Sequence, residues 1–401
     1  MGGTGMSISR TAAIVVTLSL ASILLPVSAS TADAAARSWD RQVTDSVGRI
    51  DIGTISNTDS AMDGDFVYWS TPTGKRPLSK QSIWVLRRMT ISTGKVRTIA
   101  TVRNGVFGSV HANAGRVSYS THRRQRSRQG GKLVTTKSTV FSMAATDPRP
   151  KALVSGSAVS RFELRRRRRR NVTDVVRTCG NLPMLVDVSD TGQTLTISRT
   201  LRCRGSAVLP RFRLFKPGSA TPANLGLAGS SFQAAIRQGK LIDLGDDYKG
   251  NRRASIKNLS TGTVSFLPDI GDFASLITSP FGSFAIRSSF YTSDSAGTQL
   301  RVYSLDTGAR TGQFVFDDSR EIHTFALCPD AIAQVRESLS STSAVVFRDA
   351  SGKVLGRQKR AEGDSLILRV ACVGRTVSIA ELPAAADGTL RSKPRLVNYA
   401  F

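Results

Sequence analysis

Side chains that commonly carry out catalysis are scarce in this sequence. The 401 residues include three histidines and four cysteines, and the G-x-S-x-G, H-E-x-x-H and P-loop patterns are all missing from it. His111 and His323 each stand shortly before a predicted turn, where nearby carboxylates could complete a general acid and base pair. A hydrogen-bonded structural histidine is the favoured interpretation of both, with catalysis as the alternative.

Oxygen ligands for a metal ion are concentrated in one short segment. Asp243, Asp246 and Asp247 are followed by Asn251, and such carboxylate and amide oxygens are what Ca²⁺ prefers. Their spacing does not match the regular D-x-D-x-D-G calcium loop. We therefore predict no metal and no cofactor, with Ca²⁺ at this segment as the alternative.

Arginine provides the clearest chemical signal in the chain. Residues 116–216 carry a net charge of +18 out of the total of +27, and clustered cations of this kind attract an anionic partner. The alternative is a solvated basic insertion without a partner. The candidate polyanion-binding residues are Arg123, Arg124, Arg126, Arg128, Arg165, Arg166, Arg167, Arg168, Arg169, Arg170, Arg202 and Arg204.

The partner predicted from this charge is an anionic polymer, an acidic protein or a membrane surface. Aromatic side chains that could stack on bases are few near the arginines, with Phe162 and Phe212 the nearest. Specific nucleic-acid recognition is therefore not expected. We predict a monomer.

A repeat organises the chain into short strands. A turn residue followed by alternating apolar positions recurs about every 45 residues, with one interval about 30 residues longer. Alternating apolar and polar residues bounded by Gly, Asp and Ser are typical of half-buried antiparallel strands. Four such strands per unit indicate an all-β, seven-bladed β-propeller, with six blades as the alternative. The turn residues are Gly64, Gly115, Gly192, Gly239, Gly282, Asp330 and Gly374.

Propeller topology predicts where the basic segments lie. Loops between second and third strands and connections between blades emerge on the same face. We expect 123–132, 165–170 and 203–210 to occupy such connections, so that the three basic segments converge. The segment Gly48–Gly53 precedes the first unit, and we expect it to complete the last blade and remove an exposed edge.

Four cysteines allow three pairings, and the sequence alone does not choose among them. Cys179 and Cys203 flank the turn at Gly192, which would place them nearly opposite each other on paired strands. Cys328 and Cys372 each precede a turn residue by two positions, on the inner strands of neighbouring blades. The favoured interpretation is two disulfides, one within each of these pairs.

The N-terminus is typical of a secretory signal. Arg10 precedes an apolar stretch that is followed by small residues near Ala34. We predict a signal peptide at 1–34, a flexible segment at 35–47, and a propeller at 48–401 with an arginine-rich insertion around 120–175. An uncleaved membrane anchor is the alternative. The mature chain should be extracytoplasmic and without a transmembrane span.

Two segments carry a resemblance to known propellers. Asp63–Trp69 with Ile83–Val85, and Val302–Gly308, combine a D-G turn, an apolar strand and a D-x-x-T-G-like turn. This arrangement resembles the TolB-type and WD-repeat-like propellers of secreted bacterial proteins. Propellers include binders, scaffolds and enzymes. We predict a non-enzymatic binding or scaffold module, with a propeller-type lyase or glycan hydrolase acting at the channel mouth as the alternative.

Overall fold

The structure is a computed structural model whose described part consists of strands and their connections. No helix in the described part of the chain is long and apolar enough to cross a membrane. The described residues are 44–45, 48–49, 60–73, 83–126, 133–147, 149–167, 170–201, 210–227, 233–246, 252–267, 272–279, 281–291, 296–316, 321–338, 343–360, 365–373, 376–383 and 395–400.

The first strands form a two-stranded ladder, a four-stranded sheet and an eight-stranded sheet, all antiparallel. The ladder consists of β1 (Thr44–Asp45) and β2 (Gly48–Arg49). The four-stranded sheet consists of β3 (Ser60–Asp63), β4 (Phe66–Thr73), β5 (Ile83–Thr90) and β6 (Lys95–Arg103). The eight-stranded sheet consists of β7 (Gly105–Asn113), β8 (Arg116–Arg126), β9 (Leu133–Ala144), β10 (Lys151–Arg167), β11 (Arg170–Val188), β12 (Thr194–Leu201), β13 (Arg211–Phe215) and β14 (Pro222–Leu227).

The remaining strands form four smaller antiparallel sheets in chain order. One consists of β15 (Gln233–Arg237), β16 (Lys240–Asp246), β17 (Arg252–Asn258) and β18 (Val264–Leu267). The next consists of β19 (Asp272–Thr278), β20 (Ser283–Tyr291), β21 (Ala296–Ser304) and β22 (Arg310–Phe316). The last two consist of β23 (Glu321–Leu327), β24 (Ile332–Ser338), β25 (Ala344–Arg348) and β26 (Val354–Lys359), and of β27 (Ser365–Val373), β28 (Thr376–Pro383) and β29 (Arg395–Ala400).

This arrangement is an all-β propeller, but the prediction of seven separate blades is wrong. Among the described residues five sheets have the size of a single blade, and the eight-stranded sheet occupies the span predicted to hold two. The reason is that β10 and β11 pair with each other from Ala158 opposite Gly180 to Arg167 opposite Arg170. Strand pairing therefore continues across the predicted blade boundary.

The inner side of the ring is lined by the first strands of the six larger sheets and by β11, an internal strand of the eight-stranded sheet. In chain order β3, β7, β11, β15, β19, β23 and β27 each contact the next, and β27 contacts β3. The Ser60 hydroxyl of β3 donates a hydrogen bond to the Leu368 carbonyl of β27. The ring is thus closed by contacts between inner strands of its first and last sheets.

The predicted closing strand at Gly48–Gly53 differs from the structure. Gly48 and Arg49 pair with Thr44 and Asp45 in the β1–β2 ladder, while residues 50–53 lie outside the described ranges. The sheet of β27, β28 and β29 has three strands in the described part of the chain. A strand of the N-terminal ladder therefore does not complete it.

Apolar side chains fill the spaces between neighbouring sheets. Trp84 and Leu86 of strand β5 pack with Phe107, Val110 and Tyr119 of the eight-stranded sheet. Inner and middle strands such as β25 are almost entirely buried, whereas the outer strand β26 is mostly exposed. Burial of apolar area is the main stabilising term in such a fold, so the ring depends on contacts between sheets.

Disulfide bonding agrees with part of the sequence prediction. Cys328 and Cys372 form a disulfide with a Cα–Cα distance of 5.2 Å, between the sheets that begin with β23 and β27. This confirms the predicted bridge between neighbouring blades. Cys179 is also disulfide-bonded, and Cys203, its predicted partner, lies outside the described residues.

Candidate functional site

Strand direction brings the basic segments to one end of the eight-stranded sheet. Because neighbouring strands are antiparallel, β8, β10 and β12 all run the same way. Their last residues are Arg126, Arg167 and Leu201. Successive strands of this set are two positions apart in the sheet order, which corresponds to a lateral spacing of roughly 10 Å.

We call this end of the sheet the arginine edge. It contains the ends of β8, β10 and β12 and the beginnings of β9, β11 and β13, and the side chain of Arg123 is exposed there. The candidates Arg128, Arg168, Arg169, Arg202 and Arg204 lie outside the described residues. The candidates with described backbone positions on the edge are Arg123, Arg124, Arg126, Arg165, Arg166, Arg167 and Arg170.

The run at 165–170 is not the blade connection that the sequence predicts. Arg165, Arg166 and Arg167 end β10, and Arg170 begins β11, with Arg167 opposite Arg170. The run therefore lies at the end of a hairpin. In the same way Arg123, Arg124 and Arg126 belong to β8 and not to the loop that follows it.

This hairpin extends beyond its neighbours. Strand β10 pairs with β9 only as far as Arg161 opposite Leu133, and β11 pairs with β12 only from Gly180 opposite Leu201. Beyond these points 162–167 pair only with 170–175 among the described residues. Six residues of strand correspond to roughly 20 Å of extension.

Like charges occupy directly opposite positions near the arginine edge. The register places Arg123 opposite Lys137, and Arg161 opposite Arg177. Like charges directly opposite each other on paired strands destabilise a sheet. A bound anion would relieve this repulsion, since it interacts favourably with both members of a pair.

At the other end of the strands, His111 lies beside a buried ion pair. Asp187 of β11 accepts a hydrogen bond from Arg237 Nη1 of β15 at 2.6 Å and from the Ile236 backbone N–H at 3.1 Å. His111 Nδ1 of β7 lies 3.6 Å from Asp187 Oδ1, with its side chain 35% exposed. This distance is beyond a good hydrogen bond.

The Asp187 carboxylate is therefore held mainly by Arg237. Their side chains are 7% and 12% exposed, and Arg237 also donates to Thr278 Oγ1 of β19 at 3.0 Å. Three neighbouring inner strands are linked in this way. A carboxylate that is paired and held in this way links neighbouring sheets.

The second catalytic candidate lies elsewhere. His323 is the third residue of β23 and pairs in register with Arg336, so it stands near the start of its strand and not beside the turn that follows. Strands β27 and β3 separate β23 from β7 around the ring. The structure therefore does not bring His111 and His323 together.

The predicted alternative calcium segment is described only in part. Asp243 and Asp246 belong to β16, while Asp247 and Asn251 lie outside the described residues. In the described part of the chain, no group of three or more histidine, cysteine, aspartate or glutamate side chains is arranged to hold a metal ion.

The structure identifies functional positions that sequence reasoning missed. Asp187 is a buried acid between the buried apolar residues Val186 and Val188, which is a sign of a paired charge. Arg237 directly precedes the turn at Gly239, and no pattern marks it as the partner of Asp187. Lys137 lies opposite Arg123 because of the register between β8 and β9, which a sequence does not reveal.

Comparison with known structures supports the fold. The chain is similar to the β-propeller domain of the Trilobed protease from Pyrococcus furiosus, with a TM-score of 0.50 and 9% identity over 85% of this chain and 91% of that one. TolB from Acinetobacter baumannii gives a TM-score of 0.41 and 11% identity over 78% of this chain and 62% of that one. The first of these comparisons agrees with the fold class described above, a β-propeller.

A peptidase is also among the structural neighbours. Acylaminoacyl peptidase from Pyrococcus horikoshii gives a TM-score of 0.44 and 7% identity over 86% of this chain and 52% of that one. No protein-family model matches the sequence, and no curated protein matches it. At these identities the likeness concerns fold alone, and function has to be argued from the site.

Proposed function

We propose that this propeller is a non-enzymatic binding module that holds an anionic polymer on the arginine edge. The observation that carries the proposal is that β8, β10 and β12 all end at the same end of one continuous sheet. Arginine suits this task because its guanidinium group donates paired hydrogen bonds to phosphate or carboxylate groups.

The spacing of the arginine edge favours a polymer over a single small anion. The strands that end there are roughly 10 Å apart across the sheet, and among the described residues the β10–β11 hairpin continues roughly 20 Å past its last pairing with β9 and β12. One phosphate or carboxylate group could contact only one of these places. A chain with repeated negative charges could contact several at once, with the release of counterions adding to its affinity.

We also propose that the protein works outside the cytoplasm after removal of a signal peptide at 1–34. The Cys328–Cys372 disulfide supports this proposal, because disulfides persist mainly in oxidising compartments. The polymer would then be a component of the cell envelope or its surroundings, and a poly(glycerol phosphate) is the first probe to use.

The alternative, a propeller-type lyase or glycan hydrolase, depends on His111 near the channel. Its nearest carboxylate, Asp187, is already neutralised by Arg237 at 2.6 Å. The other predicted catalytic histidine, His323, does not lie beside His111, since strands β27 and β3 separate their two strands around the ring. The binding module is therefore the better supported proposal.

The test measures association of the purified protein with poly(glycerol phosphate) at about 50 and 150 mM salt. One variant replaces Arg165–Arg170 with serine. A charge-matched control replaces six exposed cations of other sheets with serine, namely Lys95, Arg97, Arg103, Arg310, Lys353 and Arg357.

We expect the 165–170 variant to lose at least about tenfold in affinity at 150 mM salt and to show a smaller dependence on salt. The control variant should retain most of its affinity. Equal losses in the two variants would mean that net charge alone drives association, and this would contradict the proposal. Heparin, duplex DNA and anionic vesicles in parallel show whether another polyanion binds better.

A further inference from the structure

A groove lies between the four-stranded sheet of β3 to β6 and the eight-stranded sheet, beside the arginine edge. Its volume is about 320 Å³, within the size range of small-molecule sites. One wall is the end of β6 around Val102, and the other is one face of β8, β9 and β10.

Three cross-strand pairs of β8 and β9 line the groove in order. Tyr119 is opposite Phe141, Thr121 is opposite Thr139, and Arg123 is opposite Lys137. Because every second residue of a strand faces the same side, the pairs form a continuous ladder. The groove therefore changes from aromatic through hydroxyl-bearing to cationic as it approaches the arginine edge.

The aromatic end is firmly built. The rings of Tyr119 and Phe141 are stacked, with centroids 5.1 Å apart, and Tyr119 is 1% exposed. Burial raises the pKa of Tyr119 well above its usual value. Tyr119 therefore fixes the ring of half-buried Phe141, which provides an uncharged floor against which an apolar or ring-shaped group could pack.

Hydroxyl groups occupy the middle of the groove. Thr139 Oγ1 and Ser155 Oγ are 3.0 Å apart, and Ser155 of β10 is also opposite Thr139 in register. Each hydroxyl can donate one hydrogen bond and accept two. Together with Thr121 they can donate to the oxygens of a bound anion.

The cationic end lacks a carboxylate partner. Among the described residues neither Arg123 nor Lys137 takes part in a salt bridge or a side-chain hydrogen bond, and both are exposed. A Cβ added to Gly105 would lie 2.9 Å from Cγ of Arg123, so glycine at that position allows β7 to approach the arginine stem. The two cations thus stand opposite each other without a counter-charge from the described part of the chain.

We propose that this groove binds a small phosphorylated molecule, with its phosphate between Arg123 and Lys137. A phosphate monoester carries close to two negative charges at neutral pH, which matches two unpaired cations. Its oxygens can accept from the guanidinium, the ammonium and the Thr121 and Thr139 hydroxyls together. A carboxylate has one charge and two oxygens, and would satisfy this set less completely.

The inference goes beyond the polymer-binding proposal. In this proposal the groove takes one phosphate with an attached apolar or ring-shaped group that extends towards the Phe141 floor. Only Arg123 is shared with the arginine edge, so each site can be altered without the other. A ligand of the groove could be a free metabolite or the terminal group of a larger molecule.

The test uses phenyl phosphate as the probe, with inorganic phosphate and benzoate for comparison, measured by calorimetry on the full chain at 150 mM salt. Lys137→Ser removes one cation, and Thr139→Val removes a hydroxyl while keeping the shape of the side chain. Lys95→Ser is the matched control, because Lys95 is an exposed cation of β6 that does not line the groove.

We expect phenyl phosphate to bind more tightly than inorganic phosphate or benzoate. Lys137→Ser should weaken it by about tenfold or more, and Thr139→Val by a few-fold, whereas Lys95→Ser leaves it unchanged. Absence of saturable binding, or an equal effect of Lys95→Ser, would overturn the inference. Replacing 165–170 with serine should leave phenyl phosphate binding unchanged. The polymer proposal and the groove proposal can therefore fail independently of each other.

Discussion

Replacing Asp187 with alanine should destabilise the ring strongly. The substitution removes the partner of Arg237 Nη1 at 2.6 Å and the acceptor for the Ile236 N–H at 3.1 Å. It leaves a guanidinium group whose side chain is only 12% exposed without its counter-charge. Breaking a buried ion pair by removing one partner costs about 3–5 kcal/mol, and we expect a loss of this size in the free energy of unfolding.

Urea unfolding followed by tryptophan fluorescence measures this loss, because Trp69 and Trp84 are buried. Asp147→Ala is the control, since Asp147 pairs with Arg149 at 3.0 Å on the surface, where both side chains are well exposed. Surface pairs of this kind contribute little, so the control should not measurably change stability. A loss below about 1 kcal/mol for Asp187→Ala would refute the argument that Asp187 holds neighbouring sheets together.

Two further predictions concern covalent and ionisable groups of the core. Replacing Cys328 and Cys372 with serine removes a disulfide that joins residues 44 positions apart in the sequence. Chain entropy predicts that this lowers the free energy of unfolding by about 4 kcal/mol. Denaturant titration measures the loss, and an unchanged unfolding midpoint would contradict the prediction. Burial raises the pKa of Tyr68 to about 12, so its stabilising contribution is present in full below pH 10 and is lost as the pH rises towards 12. Ultraviolet titration of tyrosinate in the wild type and in Tyr68→Phe should show this delayed ionisation, and ionisation of Tyr68 near pH 10 in the folded protein would contradict it.

The sequence was sufficient to predict the fold class, because its signals are local. A turn glycine such as Gly239, with φ of 70°, requires a backbone conformation that other residues adopt only at a cost. Alternation of apolar residues then defines the strands on either side. The Cys328–Cys372 bridge could be predicted because both cysteines occupy the same position in neighbouring repeats.

Pairing between distant strands was harder to predict. Nothing in the local pattern of 158–180 distinguishes a blade-to-blade connection from the long β10–β11 pairing that merges two predicted blades. Register has the same difficulty, since it decides that Lys137 stands opposite Arg123. Sites that depend on such pairing, including the groove and the Asp187–Arg237 ion pair, were therefore not recognised.

Three of the five acids in residues 116–216 lie at the end of the eight-stranded sheet opposite the arginine edge, whereas Glu163 and Asp174 lie opposite each other on the β10–β11 hairpin. At the end opposite the arginine edge, Asp187 binds Arg237, and Asp190 accepts a hydrogen bond from the Gln238 backbone N–H. Asp147 binds Arg149 at the same end, and the hydrogen bond from Arg149 lowers the pKa of the Asp147 carboxyl. Three of the five acids in residues 116–216 are thus used for internal contacts at that end.

This division explains how a highly basic region can belong to a stable sheet. The contacts that link neighbouring inner strands through acids lie at the end opposite the arginine edge, so the arginines need not take part in them. Substitutions at 165–170 should consequently change binding with little effect on unfolding, whereas Asp187→Ala should do the reverse. A measured separation of the two effects would tie the excess charge to a partner, because the ring itself does not require it.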